Sequence, residues 1–444
     1  MQYYRTYEHC WIKDVNRPVL QQYLEEVWMQ RFAQFIDDQE FIGDSIERRQ
    51  GILIFDGNQT KTKNYIGFIQ TRDSQIEIYP KVFCNYEPSP DNAKLFIRHL
   101  FFWFDYCRKW KFPYTKNSLD RLEFIELPEL LISLMGDKLL EVISQAPISL
   151  YEEIEESSNI PRGRINFGRY LSKGFSTGNH HVLECDTEPF QYDNRLNRII
   201  KYATRLLYNK TKFNENKRKL NDILFILDEV QDISYTSKDL DAIKINPFYS
   251  SYVDLIDICR LILDQQIYNN QYFDQNQWCL LFPMEYIFED FVAGFLEMHF
   301  SIEWKVEYQK SEKYLTDEKV FQMQHDIFLT NKKDSSIKLI VDTKYKLRSP
   351  KQRLEKKKGV AQNDLYQMTS YAFRRGCNQV LLLYPNFSVK LQEPDFFTIS
   401  SGFNAEDKIN VIAAEIPFWD MNDFNSLSNS LRDALDIILK YCNG

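Results

Sequence analysis

The sequence predicts a multidomain α+β protein: a β-rich N-terminal module, a mostly helical middle region and a C-terminal α/β unit. Three observations carry that expectation. The chain has 444 residues, well beyond one domain of roughly 150 residues. Its first ninety or so residues alternate apolar and polar side chains at strand period, whereas much of the later chain repeats at helical period. Beyond about residue 276 the order becomes helix, strands, helix, strand, as in an α/β unit with a mixed sheet flanked by helices.

In chain order, Gly51-Ile-Leu-Ile-Phe55 and Gln75-Ile-Glu-Ile-Tyr79 read as short strands, the second stopped by Pro80. The turn cluster Glu87-Pro-Ser-Pro-Asp-Asn92 closes a module of residues 1–92. Helical periodicity runs from Ala93 to about Trp110 and from Leu127 to about Ile143. It resumes in Asn194–Tyr208, Lys217–Leu227 and Tyr252–Ile267, after a strand-like acidic stretch at Leu150–Glu156. Residues 93–275 thus form the middle region, bounded by the polar run Asn269–Gln277. The C-terminal unit, 276–444, begins with a helix near Met284–His299. Strands are expected near Ile302–Tyr308, Val320–Thr330 and Ile337–Lys344, then a helix over Val360–Arg374, a strand at Gln379–Tyr384 and a closing helix at Leu427–Tyr441.

Composition removes several function classes. Hydrophobic residues at 44% and charged residues at 27% exclude wholesale disorder. No apolar run approaches the roughly 20 residues that span a bilayer, and Met1-Gln-Tyr-Tyr-Arg5 does not resemble a secretory signal. A cytoplasmic protein without a membrane partner is expected. The cysteines form no CxxC pair, so buried thiols are expected rather than zinc or disulfides. A net charge of −8 argues against a chain coated with basic residues. One local exception stands out: Lys344–Lys358 holds eight basic residues against the single acid Glu355, either a solvated loop or a nucleic-acid contact.

The chemistry concentrates just before that run. Two strand-like segments ending in Thr330 and beginning at Ile337 flank the polar turn Asn331-Lys-Lys-Asp-Ser-Ser336. Folded as a hairpin, they set Asp326 opposite Val341, one position from Asp342. Asp342 and Lys344, two apart on a strand, share a face. Two carboxylates suit Mg²⁺, which keeps several of its waters, and a lysine can orient an attacking water and offset phosphate charge. The Asp-x-Lys spacing alone carries little, since it recurs at Glu215–Lys217, Glu303–Lys305, Asp317–Lys319, Glu355–Lys357 and Glu406–Lys408. The copy at Asp342 differs in ending an apolar strand and in having an acidic partner. A helix with Asp364, Gln367 and Tyr371 along one flank also comes after it.

Asp326, Asp342-Thr-Lys344 and Gln367-x-x-x-Tyr371 resemble the PD-(D/E)xK nuclease superfamily, in particular its RecB-like branch. Four longer stretches are similar to the McrC family, nuclease subunits of McrBC-type restriction systems: Ile160-Pro-Arg-Gly-Arg-Ile-Asn-Phe167, Asp193-Asn-Arg-Leu-Asn-Arg-Ile-Ile-Lys201, Leu339-Ile-Val-Asp-Thr-Lys-Tyr-Lys346 and Gln362–Tyr371. The likeness covers roughly residues 95–444, and Ile76-Glu-Ile-Tyr-Pro-Lys81 resembles the N-terminal module of longer members. It implies a PD-(D/E)xK fold and a DNA endonuclease of phage or foreign-DNA defence, dependent on Mg²⁺ with Mn²⁺ able to substitute. A ring-forming AAA+ GTPase of McrB type is the implied partner. The metal would be held by Asp326, Asp342 and the carbonyl of Thr343, with Lys344 placing the water and Gln367 and Tyr371 in support. Lys346, Arg348, Lys351 and Arg353 would then contact DNA. One departure is that His325 precedes Asp326 where the family often has proline.

Other motifs fail on chemistry. Gly163 and Gly168 have P-loop spacing, but Arg169-Tyr170 stands where Lys-Ser/Thr is needed, so any NTPase must be a partner. His180-His181 has only Glu184 nearby and reads as a surface loop. Arg162 and Arg164, around Gly163, are either a partner- or anion-binding site or a strand-entry turn paired with Glu152–Glu156. Asp193 is the expected N-cap of the helix after it. Two other functions compete with the nuclease subunit: a non-catalytic activator of an AAA+ NTPase that keeps a relic nuclease fold, and a free-standing repair-type nuclease.

Overall fold

The computed structural model describes residues 1–37, 51–57, 59–108, 126–145, 147–266, 277–308, 314–319, 323, 326–400 and 408–442. The expected helix end near Trp110, most of the Asn269–Gln277 boundary and the start of the strand expected from Val320 lie outside them.

The N-terminal module contains β1 (Gln2–Tyr7), β2 (Trp11–Lys13), α1 (Arg17–Asp37), β3 (Leu53–Asp56), β4 (Gln59–Thr62), β5 (Tyr65–Gln70) and β6 (Ser74–Tyr79). Pro80 ends β6 because it cannot donate to a ladder. The Glu87–Asn92 cluster starts α2 (Pro90–Tyr106): the Ser89 side chain accepts the Asn92 amide, and Pro90 occupies the first turn. The apolar face of α2 buries Phe96, Leu100, Trp103 and Phe104. Trp103 stacks on Phe418 with centroids 4.0 Å apart and donates to its carbonyl at 2.9 Å, tying α2 to the far end of the chain.

The helices read from the middle region's periodicity are present, with a set of short strands between two of them. After α3 (Leu127–Gln145) come β7 (Leu150–Tyr151), β8 (Ile154–Ser158), β9 (Arg164–Ile165), β10 (Leu183–Thr187) and β11 (Phe190–Gln191), then α4 (Arg195–Lys210), α5 (Asn214–Ile226) and α6 (Ser251–Gln266). The strands make a small sheet, β8-β10-β9, and a separate pair, β11-β7. Strands this short leave little periodicity to read. Asn194, not Asp193, caps α4 by accepting the Asn197 amide, while Asp193 pairs with Arg198.

β12 (Trp278–Pro283) pairs antiparallel with β5, completing the sheet β1-β6-β5-β12. A strand from beyond residue 276 therefore belongs to the N-terminal sheet. Gly67 permits the approach: a Cβ there would lie 2.0 Å from the Leu280 carbonyl oxygen. The C-terminal unit continues with α7 (Met284–Phe300), β13 (Trp304–Tyr308), β14 (Ile327–Asn331), β15 (Lys338–Thr343), α8 (Pro350–Leu354), α9 (Gln362–Arg375), β16 (Gln379–Pro385), β17 (Asp395–Ser400), β18 (Lys408–Ile416) and α10 (Leu427–Cys442). Its mixed sheet runs β13-β14-β15-β16-β18-β17, with β15, β16 and β18 parallel. Ile327, Leu329, Leu339, Val341, Leu381 and Leu383 join the core that includes α7 and α10. Phe328, Ile340, Val380 and Leu382 join Met368 and Ala372 of α9 on the other face. Among the described residues no helix is long and apolar enough to cross a membrane.

Candidate active site

The β14–β15 hairpin differs from the sequence expectation by one residue. Ile327, not Asp326, faces Val341. The turn sets this register: the Asn331 side chain accepts the amides of Lys333 and Asp334, and the Asn331 amide donates to the Ile337 carbonyl at 3.0 Å. A one-residue shift changes the face on which a side chain sits. Asp326, one residue before β14, is thereby brought to the level of Asp342 rather than Val341. Its Oδ2 accepts both the backbone amide and the hydroxyl of Thr343, each at 2.7 Å.

Asp342 is 2% exposed, on the face of β15 covered by α9. Lys344 Nζ lies 2.6 Å from its Oδ2. The ammonium and the buried carboxylate form an ion pair at the end of the strand. Burial, then the neighbouring Asp326 charge, push the Asp342 carboxyl up to about 7 despite the opposing pull of Lys344. Burial lowers Lys344, but Asp342, Asp326 and Asp364 outweigh it and the ammonium is held above its usual range. Seen from the lysine the pair is favourable; seen from Asp342, lost hydration and Asp326 dominate. Two carboxylates and a backbone carbonyl are a donor set that suits Mg²⁺, which needs few protein ligands. Among the described residues no group of three His, Cys, Asp or Glu side chains could hold a metal.

In α9, Gln367 and Tyr371 bond to each other at 3.3 Å. Among the described residues neither bonds to Asp326, Asp342 or Lys344. Asp364 is the α9 residue nearest in effect, since its charge acts on both Asp342 and Lys344 and its Oδ2 takes Lys346 Nζ at 3.0 Å. The sequence placed Asp364 on the right flank without assigning it to the site.

The basic run divides. Arg348 is 1% exposed and is no surface contact: Nη1 donates to Asp395 at 3.1 Å, Nε lies 3.9 Å from Glu415, and the guanidinium sits 4.7 Å from the Tyr384 ring centroid. Arg353 pairs with the same acids at 2.9 and 3.3 Å. Of the expected DNA contacts, Arg348 is buried, and both arginines anchor the segment through acids on β17 and β18 that lie more than forty residues away in sequence. Lys346 and Lys351 do stand exposed.

Arg162 and Arg164 are exposed in the β8–β10 lobe, where Arg162 reaches Glu156 at 3.5 Å. Gly163 is required between them, with φ +61° and the Asp186 carbonyl oxygen 2.4 Å from where a Cβ would sit. Arg169 makes the firmer contacts, with Glu155 and Asp186. Ile160, Phe167, Leu171 and Phe175 leave more than half their surface in water, an apolar display on a thin lobe.

A mixed sheet thus gathers two acids and a lysine at the end of one interior strand. The sequence profile of the McrBC 5-methylcytosine restriction system component family matches residues 60–385, and the chain belongs to that family. Its fold is similar to that of a chain in the refined half-complex from the tetradecameric assembly of Thermococcus gammatolerans McrB AAA+ hexamers with bound McrC. The TM-score is 0.68 at 16% identity, covering 98% of this chain and 100% of that one. The cryo-EM structure of the Thermococcus gammatolerans McrBC complex matches at a TM-score of 0.48 and 18% identity, over 67% of this chain and 88% of that one. No curated protein matches the sequence.

Proposed function

We propose that the chain is the McrC-type DNA endonuclease subunit of a restriction system, with a PD-(D/E)xK site and an AAA+ GTPase of McrB type as partner. The observation that carries this is Asp342: a buried carboxylate beside a second acid, with a lysine 2.6 Å away. Such a cluster is costly unless a cation joins it. Bound Mg²⁺ would supply a Lewis acid that activates water and neutralises charge on the phosphate. Asp326, Asp342 and the Thr343 carbonyl would hold it. Lys344 would turn its ammonium from Asp342 toward the attacking water, keeping the proton on Nζ while offsetting phosphate charge. Gln367 and Tyr371 would support the site from α9, and Lys346 and Lys351 would meet the DNA backbone. The β8–β10 lobe, with Arg162 and Arg164, would dock on the ring and stimulate GTP hydrolysis.

DNA cleavage by the assembled system with Mg²⁺ tests the reading. Asp326→Asn and Asp342→Asn should each abolish cleavage while partner GTPase stimulation persists, and Mn²⁺ should replace Mg²⁺ in the wild type. Cleavage retained in both variants would sink the site. Stimulation without any wild-type cleavage would instead favour a non-catalytic activator.

A further inference from the structure

The strand bearing the acidic pair ends against the N-terminal module. The Lys344 amide still donates to the Leu383 carbonyl at 2.8 Å, but the Lys346 amide turns back to the Lys344 carbonyl at 2.7 Å, so the chain bends at Tyr345. Tyr345 is 3% exposed and packs near Phe288 and Phe418. Both of its polar ends are held by residues more than 260 positions earlier. Lys81 Nζ donates to the Tyr345 carbonyl at 2.8 Å and lies 4.2 Å from its ring centroid. The Tyr345 hydroxyl donates to Glu8 Oε2 at 2.9 Å, and the same oxygen accepts the Lys81 backbone amide at 2.9 Å. Glu8 is 1% exposed, and its burial holds the carboxyl up at about 7 in spite of Lys81.

Cohesion alone does not call for these groups. A buried ion pair replaced by well-packed apolar side chains is often neutral or stabilising. What the three residues do supply is direction: two bonds grip one residue, on either side of its ring, next to the lysine of the site. We propose that Glu8 and Lys81 are positioning residues for the hydrolytic site, fixing through Tyr345 the bend from which Lys344 reaches Asp342. The inference rests on the nuclease reading. It makes the N-terminal module part of the nuclease centre, although among the described residues none of its side chains bonds to Asp326, Asp342 or Lys344.

The test uses the full chain with its AAA+ partner, DNA and Mg²⁺. Lys81→Met should lower the single-turnover cleavage rate by roughly ten- to a hundredfold, the scale set by an ångström of misplacement, with DNA affinity within about twofold. Lys81→Arg, which can still donate to the carbonyl, should recover most of the rate, and Tyr345→Phe should fall between. Metal-free amide exchange supplies a second readout: protection at residues 343–347 should drop in Lys81→Met while β16 and β18 stay protected. Wild-type cleavage by Lys81→Met would overturn the proposal. So would protection lost throughout both sheets, which marks mere cohesion. A wild type that does not cut DNA would defeat the nuclease reading instead. The exchange measurement would then decide the strap alone, with unchanged protection at 343–347 overturning it.

Discussion

The end of β15 and the β8–β10 lobe are built on opposite terms. At β15 the polar groups are buried and the apolar ones form the core; in the lobe the apolar groups Ile160, Phe167 and Phe175 face water while Arg169 ties the strands together. Crowding like charges out of water makes sense for a small, highly charged ligand. Leaving aromatic side chains in water makes sense for a macromolecular surface. On the proposed function the contrast corresponds to catalysis in one region and partner contact in the other, and each half can be broken separately.

The largest expected effect concerns the segment that carries the site outward. If Arg348 is an anchor, Arg348→Ala leaves Asp395 and Glu415 short of a buried cation and should destabilise the protein by about 3–5 kcal/mol. Lys351→Ala, on the exposed side of the same segment, should stay within about 0.5 kcal/mol. Urea unfolding of both variants makes the comparison. Equal stability would return Arg348 to the surface role that its place in the basic run suggested.

Next comes the electrostatic load at Asp342, whose carboxyl sits at about 7 in the fold, above an unfolded value of about 4. A carboxyl with a raised folded value favours the fold while protonated. Its unfavourable share therefore grows as pH rises from the unfolded value and levels off above the folded one. In EDTA, Asp342→Asn should be more stable than wild type at pH 8, by on the order of 2 kcal/mol, and indistinguishable at pH 4. A difference that does not vary with pH would remove the repulsion argument.

These two sites also mark what was legible in the sequence. The apolar runs of β15 and β16 and the Asp-x-Lys pair could be read because they are local patterns. The hairpin register could not, since it depends on Asn331 folding its side chain onto the turn. The fate of Arg348 was hidden for a different reason: its acids lie on β17 and β18, and no window of sequence joins them. Lys81 and Glu8 were beyond reach on the same ground, although Ile76–Lys81 was visible as a motif. Of the lobe only the acidic strand near 150–156 and the turn around Gly163 could be read, because strands of two to five residues leave little periodicity.

A smaller effect is expected at the lobe. Arg162 makes one long, exposed pair with Glu156, worth about 0–1 kcal/mol to the fold. Replacing Arg162 and Arg164 by Ala should therefore leave unfolding nearly unchanged. If they meet the partner, each arginine lost at an interface costs about 1 kcal/mol or more, and half-maximal GTPase stimulation should need severalfold more protein. An unchanged stimulation curve would leave them as a strand-entry turn.

The smallest effect is the most direct check that context, rather than spacing, makes the site. Glu303 and Lys305 repeat the acid-x-lysine pattern in the same sheet. They flank the buried Trp304, so both point to the face of β13 that is open to water. β13 is an edge strand, whereas β15 is interior. Lys305, itself exposed, reaches the half-buried Glu307 at 3.0 Å. The Glu303 amide and carbonyl serve Phe300 and Lys332 through the backbone, which alanine preserves. Glu303→Ala and Lys305→Ala should each shift stability by less than about 0.5 kcal/mol and leave the cleavage rate at its wild-type value. A loss of cleavage with the fold intact would mean that DNA crosses β13, and that the chemistry extends further along the sheet than the buried pair at β15.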